Sequence, residues 1–214
     1  LVLESFAPGG KLIKTFEIKN WPGIKNVNGS QLAYDIYEQA MALGTSYLYE
    51  KVAALEVDGV ERRVCCESGA EFTAPAVIIA TGTVERLLNI PGEQEMIGRG
   101  ISFCAVCDAA FYRNKPVIIV GAGNAAFEES LYLAEFASKV TILARRDVIS
   151  AEQITQDKVA ANPKIEVLTW RVPQEVIIEN NRVAGLKVLN KQTGAVERML
   201  AKGVFPYIGA DPVT

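Results

Sequence analysis

Histidine does not occur once in the 214 residues, and its absence excludes a wide band of chemistry. Ser-His-Asp and Cys-His nucleophilic sites, metalloprotease helices and His-containing zinc sites all need an imidazole as base or ligand. Cysteine is scarce too: Cys65, Cys66, Cys104 and Cys107 make up all 4. A zinc site from all four would have to use Cys65 and Cys66, adjacent residues of a strand-like stretch whose side chains point to opposite faces, so the geometry opposes it. Long hydrophobic runs are missing; the strongest, Val77 to Ala80 and Val117 to Val120, fall far short of the roughly 18 residues of a membrane span. Charge of one sign is lacking as well. The formal net charge is −3, and the charge is mixed along the sequence with no basic cluster longer than a pair such as Arg145-Arg146, which opposes general nucleic-acid binding. No secretory signal pattern is read at the start.

What is there is a chain with 50% apolar residues, long enough for one large or two small domains. Leu1 to Glu4 reads as the end of a buried strand, and Gly203 to Thr214 as a strand and turn that lead onward. A Rossmann unit would place a first strand, a Gly-rich turn and a helix ahead of such an N-terminal strand. The expectation is therefore an internal fragment of a longer protein. A Gly9-Gly10 turn follows, then an amphipathic helix from about Gln31 to Leu43 with Ser30 as N-cap. Tyr47–Tyr49, Ala53–Val57, Glu61–Glu67 and Phe72–Thr73 suggest a small meander. Ala76 to Gly82 reads as a fully buried parallel strand.

After Pro91-Gly92 the pattern changes. Val117–Val120, a helix over Asn124–Ala137 and strand Val140–Leu143 form a βαβ unit, with a right-handed crossover expected. Helix Ala151–Ala161, strand Ile165–Thr169 and a hairpin of Glu175–Glu179 with Val183–Leu189, turned at Asn180-Asn181, come next. Lys202 to Ile208 completes the sheet.

Cys104-Ala-Val-Cys107-Asp108 lies just ahead of that βαβ unit. Two cysteines with two residues between them are compatible with a structural bridge, a metal site or thiol exchange. Gly121-Ala-Gly123-Asn-Ala-Ala126 follows strand Val117–Val120. Gly121 permits a tight turn, Gly123 lets a pyrophosphate approach the backbone, and the helix starting near Asn124 and Ala125 offers free N–H groups to phosphates. Ala126 replaces the third glycine, where the requirement is close helix-to-strand packing. The second strand ends at Arg145-Arg146 rather than at a lone carboxylate, which favours the 2′-phosphate of NADPH over the ribose hydroxyls of NADH. The alternative is a solvated basic turn paired with Asp147. Glu128 and Glu129 could hydrogen-bond a cofactor or face solvent.

With Gly9-Gly-Lys-Leu12, Asn20-Trp-Pro-Gly23, Ala80-Thr-Gly82, Gly98-Arg-Gly100, the CxxCD stretch, Gly121 to Glu129, Arg145-Arg-Asp147 and Gly203-Val-Phe…Ile-Gly209, the chain resembles the low-molecular-weight, bacterial-type thioredoxin reductases. The resemblance implies an α/β fold of the two-dinucleotide-binding-domain flavoprotein type, with a Rossmann-like NAD(P)H domain inserted into a partial FAD domain. It places the partial FAD domain at residues 1–100, the NAD(P)H domain with the CxxC at 101–208, and the start of the return to the FAD domain at 209–214. It implies a relay from NADPH through FAD to a Cys104–Cys107 disulfide, with Asp108 as the acid beside the thiols, and onward to thioredoxin or a thioredoxin-like protein. Gly9, Gly10, Lys11, Asn20, Thr81 and Gly82 are its FAD positions, with Glu4 a looser candidate for the adenosine ribose. Hinges for rotation of the inserted domain are expected at 83–103 and 207–211. A cytoplasmic homodimer, with neither nucleic acid nor membrane as partner, completes the picture.

Three departures bear on that expectation. Lys11 stands where glutamine is common. Ala144 replaces a histidine before Arg145-Arg146, and Ser150 an arginine, so the grip on phosphate should be weaker. The glycine-rich turn and Gly-Asp segment that embrace the flavin in the family are not in this sequence, so these residues alone are expected neither to bind FAD tightly nor to turn over. The rivals are a related flavoenzyme with another donor, such as a ferredoxin, and a non-catalytic nucleotide-binding protein on the same fold.

Overall fold

The computed structural model describes residues 1–15, 18 and 21–213, Lys14 and Asp58 by their backbone alone. The FAD candidate Asn20 therefore lies outside the described residues. Two compact units divide the chain, one over Leu1–Gly82 and one over Thr83–Val213.

In the first unit, β1 (Val2–Glu4) pairs in parallel with β2 (Tyr47–Tyr49), Leu3 standing opposite Leu48. The expected buried strand is present, but Leu1 and Val2 are exposed. Tyr47–Tyr49 thus joins β1 and not the meander. Helix α1 (Gly29–Ala42) starts two residues earlier than expected. Its N-cap is Asn28, not Ser30: the Asn28 carboxamide oxygen accepts from the Ser30 N–H at 2.9 Å. Asparagine caps as well as serine does, and it sits two residues ahead. Leu32 and Ala33 are the helix's buried apolar contacts. β3 (Val52–Asp58), β4 (Glu61–Cys66) and β5 (Glu71–Ala74) form the antiparallel meander. Val64 and Cys66 are buried there, while Leu55 and Val57 stay exposed.

The stretch from Ala76 to Gly82 is not a strand. Pro75 follows β5, no described residue pairs with the run, and Ile78 is 91% exposed. A continuous apolar run becomes a buried strand only when neighbours take up its N–H and C=O groups on both edges. Those neighbours are not among the described residues.

The second unit is built on a four-stranded parallel sheet of β7 (Pro116–Val120), β8 (Lys139–Leu143), β9 (Ile165–Leu168) and β13 (Gly203–Pro206), in the order β13-β7-β8-β9. Its strands are mostly apolar because both faces are covered, Lys139 and Glu166 being exposed charges on β8 and β9. Val117 and Ile119 of β7, with Phe205 of β13, pack against α4 (Asn124–Phe136) and α5 (Gln153–Ala160). Ile118, Val120 and Val204 point the other way, onto an antiparallel sheet of β10 (Arg171–Glu179), β11 (Arg182–Asn190) and β12 (Val196–Leu200). The β10–β11 hairpin turns at Asn180 and Asn181, whose φ values of 51° and 58° suit the primed turn that asparagine tolerates.

β6 (Thr83–Glu85) and β14 (Ala210–Pro212) form a short antiparallel pair, clamped where Arg86 Nε donates to Asp211 Oδ1 at 2.7 Å. That contact lowers the Asp211 carboxyl below its ordinary range and raises Arg86. In the short helix α2 (Glu93–Met96), the buried Glu93 carboxylate accepts from the Leu88 and Asn89 N–H groups, both at 2.7 Å. No described helix is long and apolar enough to cross a membrane.

Candidate functional site

Cys104 and Cys107 are joined by a disulfide. They lie on α3 (Ala105–Asp108), a single turn with Cys104 as its N-cap. The turn is tied on both sides. Ser102, itself buried, accepts from the Cys104 N–H at 3.1 Å and donates to the Cys104 carbonyl at 3.3 Å. The Cys107 N–H donates to Cys104 Sγ at 3.2 Å, a contact that stabilises negative charge on that sulfur when the bond opens. Cys107 is exposed, Cys104 and Asp108 half-buried. A partner can therefore reach the pair from the Cys107 side. Cys65 and Cys66 stay free on β4, burial raising both thiols above their ordinary value. No group of three metal-binding side chains exists among the described residues.

Behind the C-terminal ends of β7 and β8 lies a cavity of about 730 Å³, the position where open α/β sheets hold ligands. Gly121, Gly123, Arg145, Arg146, Ser150 and Arg171 are among its walls. The two glycines serve different ends. Gly121 has φ 149°, and a Cβ there would stand 2.2 Å from the Tyr207 carbonyl oxygen, so the protein's own packing demands glycine. Gly123 has φ −98° and ψ −179°, open to any residue, and a Cβ would meet only Ser150 Oγ, at 3.7 Å. Nothing among the described residues requires glycine at 123, so its bare backbone is open to an approaching group. Gly123 is also the N-cap of α4 without any side-chain cap, which leaves the first N–H groups of that 13-residue helix for an anion. These features fit a dinucleotide pyrophosphate.

Arg145, Arg146 and Asp147 are exposed, while Ala144 is fully buried at the end of β8. Ser150 has work of its own. The Ala122 carbonyl accepts from the Ser150 N–H at 2.9 Å, the Ser150 hydroxyl at 3.2 Å and the Ala151 N–H at 3.2 Å, stitching the arginine loop to the glycine turn. Of the expected nucleotide residues, Asn124 and Ala125 are outside the cavity wall. The Asn124 side chain accepts from the Glu152 N–H at 2.7 Å and is spent on loop structure. Glu128 is exposed, but Glu129 is half-buried, and burial, then the charge of Glu128, pushes its carboxyl up to about 7.

Three residues that the sequence reading passed over join the site. Arg171 reaches the cavity from the start of β10, held by Thr169 O at 3.1 Å and by Glu197 at 3.4 Å. Arg86 lines it from beside β6. Tyr207 lines it as well, and its hydroxyl accepts from the Ala105 N–H at 3.1 Å between the two cysteines. The last contact joins positions 102 residues apart, so no local pattern announces it.

The flavin candidates lie in the first unit. Gly9 caps a 3-10 turn, Gly10–Lys14, with φ 121°, and a Cβ there would stand 2.6 Å from Ile13 Cγ2. At Gly10 the same position is open space. Lys11, Thr81 and Gly82 are exposed. These residues present approachable backbone of the kind that a flavin nucleotide's phosphates and ribose need, and so fit part of such a site.

Residues 4–214 match the family model described as pyridine nucleotide-disulphide oxidoreductase. The thioredoxin reductase of Bacillus subtilis (strain 168) is 38% identical over the whole chain, which spans 67% of that protein. The bifunctional thioredoxin reductase/thioredoxin of Mycobacterium leprae (strain TN) is 39% identical over 99% of the chain and 46% of its own length. Among solved structures, thioredoxin reductase of Lactococcus lactis in its FR conformation superposes with a TM-score of 0.95 at 38% identity, covering 99% of this chain and 69% of that one. Thioredoxin reductases of this family use FAD and NADPH. An α/β scaffold, a disulfide on its own helical turn and a glycine-floored cavity agree with the match over nearly the full sequence: the chain belongs to the pyridine nucleotide-disulphide oxidoreductases, in the bacterial-type thioredoxin reductase family.

Proposed function

We propose that this chain is the disulfide-bearing part of an NADPH-dependent thioredoxin reductase, in which Cys104 and Cys107 pass electrons to a disulfide of thioredoxin or a thioredoxin-like protein. The observation that carries the reading is the bonded Cys104–Cys107 pair standing in one unit with the cavity floored by Gly121 and Gly123. Gly123 and the first N–H groups of α4 take the pyrophosphate, and Arg145 and Arg146 the 2′-phosphate. Gly9, Gly10, Lys11, Thr81 and Gly82 contribute to holding FAD, which supplies the two-electron step between nicotinamide and disulfide when bound. Asp108 manages the proton beside the opened thiols. The reduced pair then exchanges with the partner: one thiolate attacks the partner disulfide, a mixed disulfide forms, and the second thiol displaces it, restoring Cys104–Cys107 and leaving the partner reduced. The parent acts as a homodimer in the cytoplasm, where a lone dithiol is kept for exchange rather than structure.

The test is made on the full-length parent: a flavin absorbance spectrum, then reduction of an aromatic disulfide and of thioredoxin with NADPH as donor. A colourless protein defeats the reading. A flavoprotein whose disulfide opens with reduced ferredoxin but not with NADPH defeats the choice of donor, and would trace to Ala144 and Ser150.

A further inference from the structure

We propose that Tyr207 is a positioning residue through which the occupied dinucleotide cavity and the Cys104–Cys107 disulfide sense each other; this rests on reading the cavity as the pyridine-nucleotide site. One residue meets both places. Its backbone lies on the glycine turn: Tyr207 N–H donates to the Val120 carbonyl at 2.7 Å, and its own carbonyl oxygen is the atom that a Cβ on Gly121 would strike. Its phenol reaches the other way and accepts from the Ala105 N–H, a donor on a residue only 1% exposed. That leaves the turn holding the Cys107 N–H against Cys104 Sγ.

The link is short and stiff. A tyrosine side chain has two rotatable bonds before its hydroxyl, and this one packs against the α4-side core with Phe205, Ala105 and Ala109. Burial, with the charges of Glu129 and Asp108 nearby, raises the phenol far above its ordinary value and keeps it neutral, so its grip does not vary across working pH. A nucleotide seated on the Gly121–Gly123 turn presses on the residue that holds the cysteine turn. By reciprocity, whatever the nucleotide does to the dithiol–disulfide equilibrium, reduction of the disulfide does to nucleotide affinity.

The experiment uses the full-length parent. Its disulfide is equilibrated in dithiothreitol redox buffers with and without saturating NADP⁺, trapped thiols are counted, and NADP⁺ affinity is measured by calorimetry. In the unaltered protein NADP⁺ should shift the dithiol–disulfide equilibrium constant by about fivefold or more, the lower range of coupling between sites. Tyr207→Phe keeps the ring, its packing and the backbone against Gly121 and removes only the hydroxyl; with NADP⁺ at saturation for the variant, the shift should disappear. Ala105→Pro removes the donor from the other end, at a first helical position where proline is accepted, and should lose the shift too. A shift that survives in Tyr207→Phe overturns the inference, as does NADP⁺ that binds the unaltered protein without moving its equilibrium. If NADP⁺ fails to bind the unaltered protein at all, the cavity reading falls with it.

Discussion

The two units of this chain share an α/β vocabulary yet treat apolar surface in opposite ways. In Thr83–Val213 the parallel sheet is covered on both faces, and two separate buried clusters form, one against α4 and α5 and one against β10–β12. In Leu1–Gly82 the meander, α1 and the β1–β2 pair bury little. Leu55, Val57, Ile78 and Ile79 face outward. The lesson is that β-branched, apolar sequence does not by itself make a buried strand; a strand is made when hydrogen-bonding neighbours and a covering layer arrive together. The disulfide and the cavity both belong to the unit that has its layers.

The comparison can be broken most sharply at the chemistry. Cys104→Ser in the full-length parent should lower thioredoxin reduction by about a thousandfold or more, since the exchange needs both sulfurs; a retained rate would place the chemistry outside the Thr83–Val213 unit.

The next contrast is one of burial. Phe205→Ala, at a side chain with no exposure, should cost about 3–5 kcal/mol in urea unfolding, whereas Ile78→Ala should stay within about 0.5 kcal/mol. A core-sized loss at Ile78 in the full-length parent would show that its neighbours lie outside this chain.

A third comparison concerns pH. The Glu129 carboxyl is raised by burial to about 7, so the folded state holds its proton more tightly than the unfolded state does. Its contribution is complete below the unfolded value near 4.5 and is lost as pH rises through about 7. Glu129→Gln should therefore be as stable as the unaltered protein at pH near 4 and gain on it, by an order of 2–3 kcal/mol, at pH near 8. Parallel unfolding curves at both pH values would mean that the carboxyl is solvated.

The smallest effect belongs to the first unit. The Lys51–Glu67 ion pair, at 2.6 Å but more than half exposed on both sides, should give a double-mutant coupling below about 1 kcal/mol that fades with salt.

How much of this was legible in the sequence follows the same division. The βαβ unit around β7, α4 and β8, the β10–β11 hairpin and the Asn180-Asn181 turn are all announced by local pattern: apolar runs of strand length, glycines after them, residues tolerant of positive φ. Ala76 to Gly82 misled because its apolar run states a need for neighbours but not whether they are present. The N-cap of α1 slipped from Ser30 to Asn28 because both residue types serve and only geometry chooses between them. At the site, Gly121, Gly123, Arg145 and Arg146 lie together on the cavity. Asn124 does not, because its side chain is drawn to the Glu152 amide. Tyr207 and Arg171 were illegible, their contacts being made by chain that returns to the cavity from far along the sequence.

Ser150 shows what such a substitution can exchange. An arginine at that position would contribute attraction on a long side chain that must surrender its freedom when a ligand arrives. The serine instead helps fasten the loop of Arg145 and Arg146 to the Ala122 carbonyl beforehand. Ser150→Arg would thus add a cation and loosen the platform that the other two stand on. Ordering of that loop would then fall within the binding event, as an entropy term that the serine-bearing chain has already met in folding.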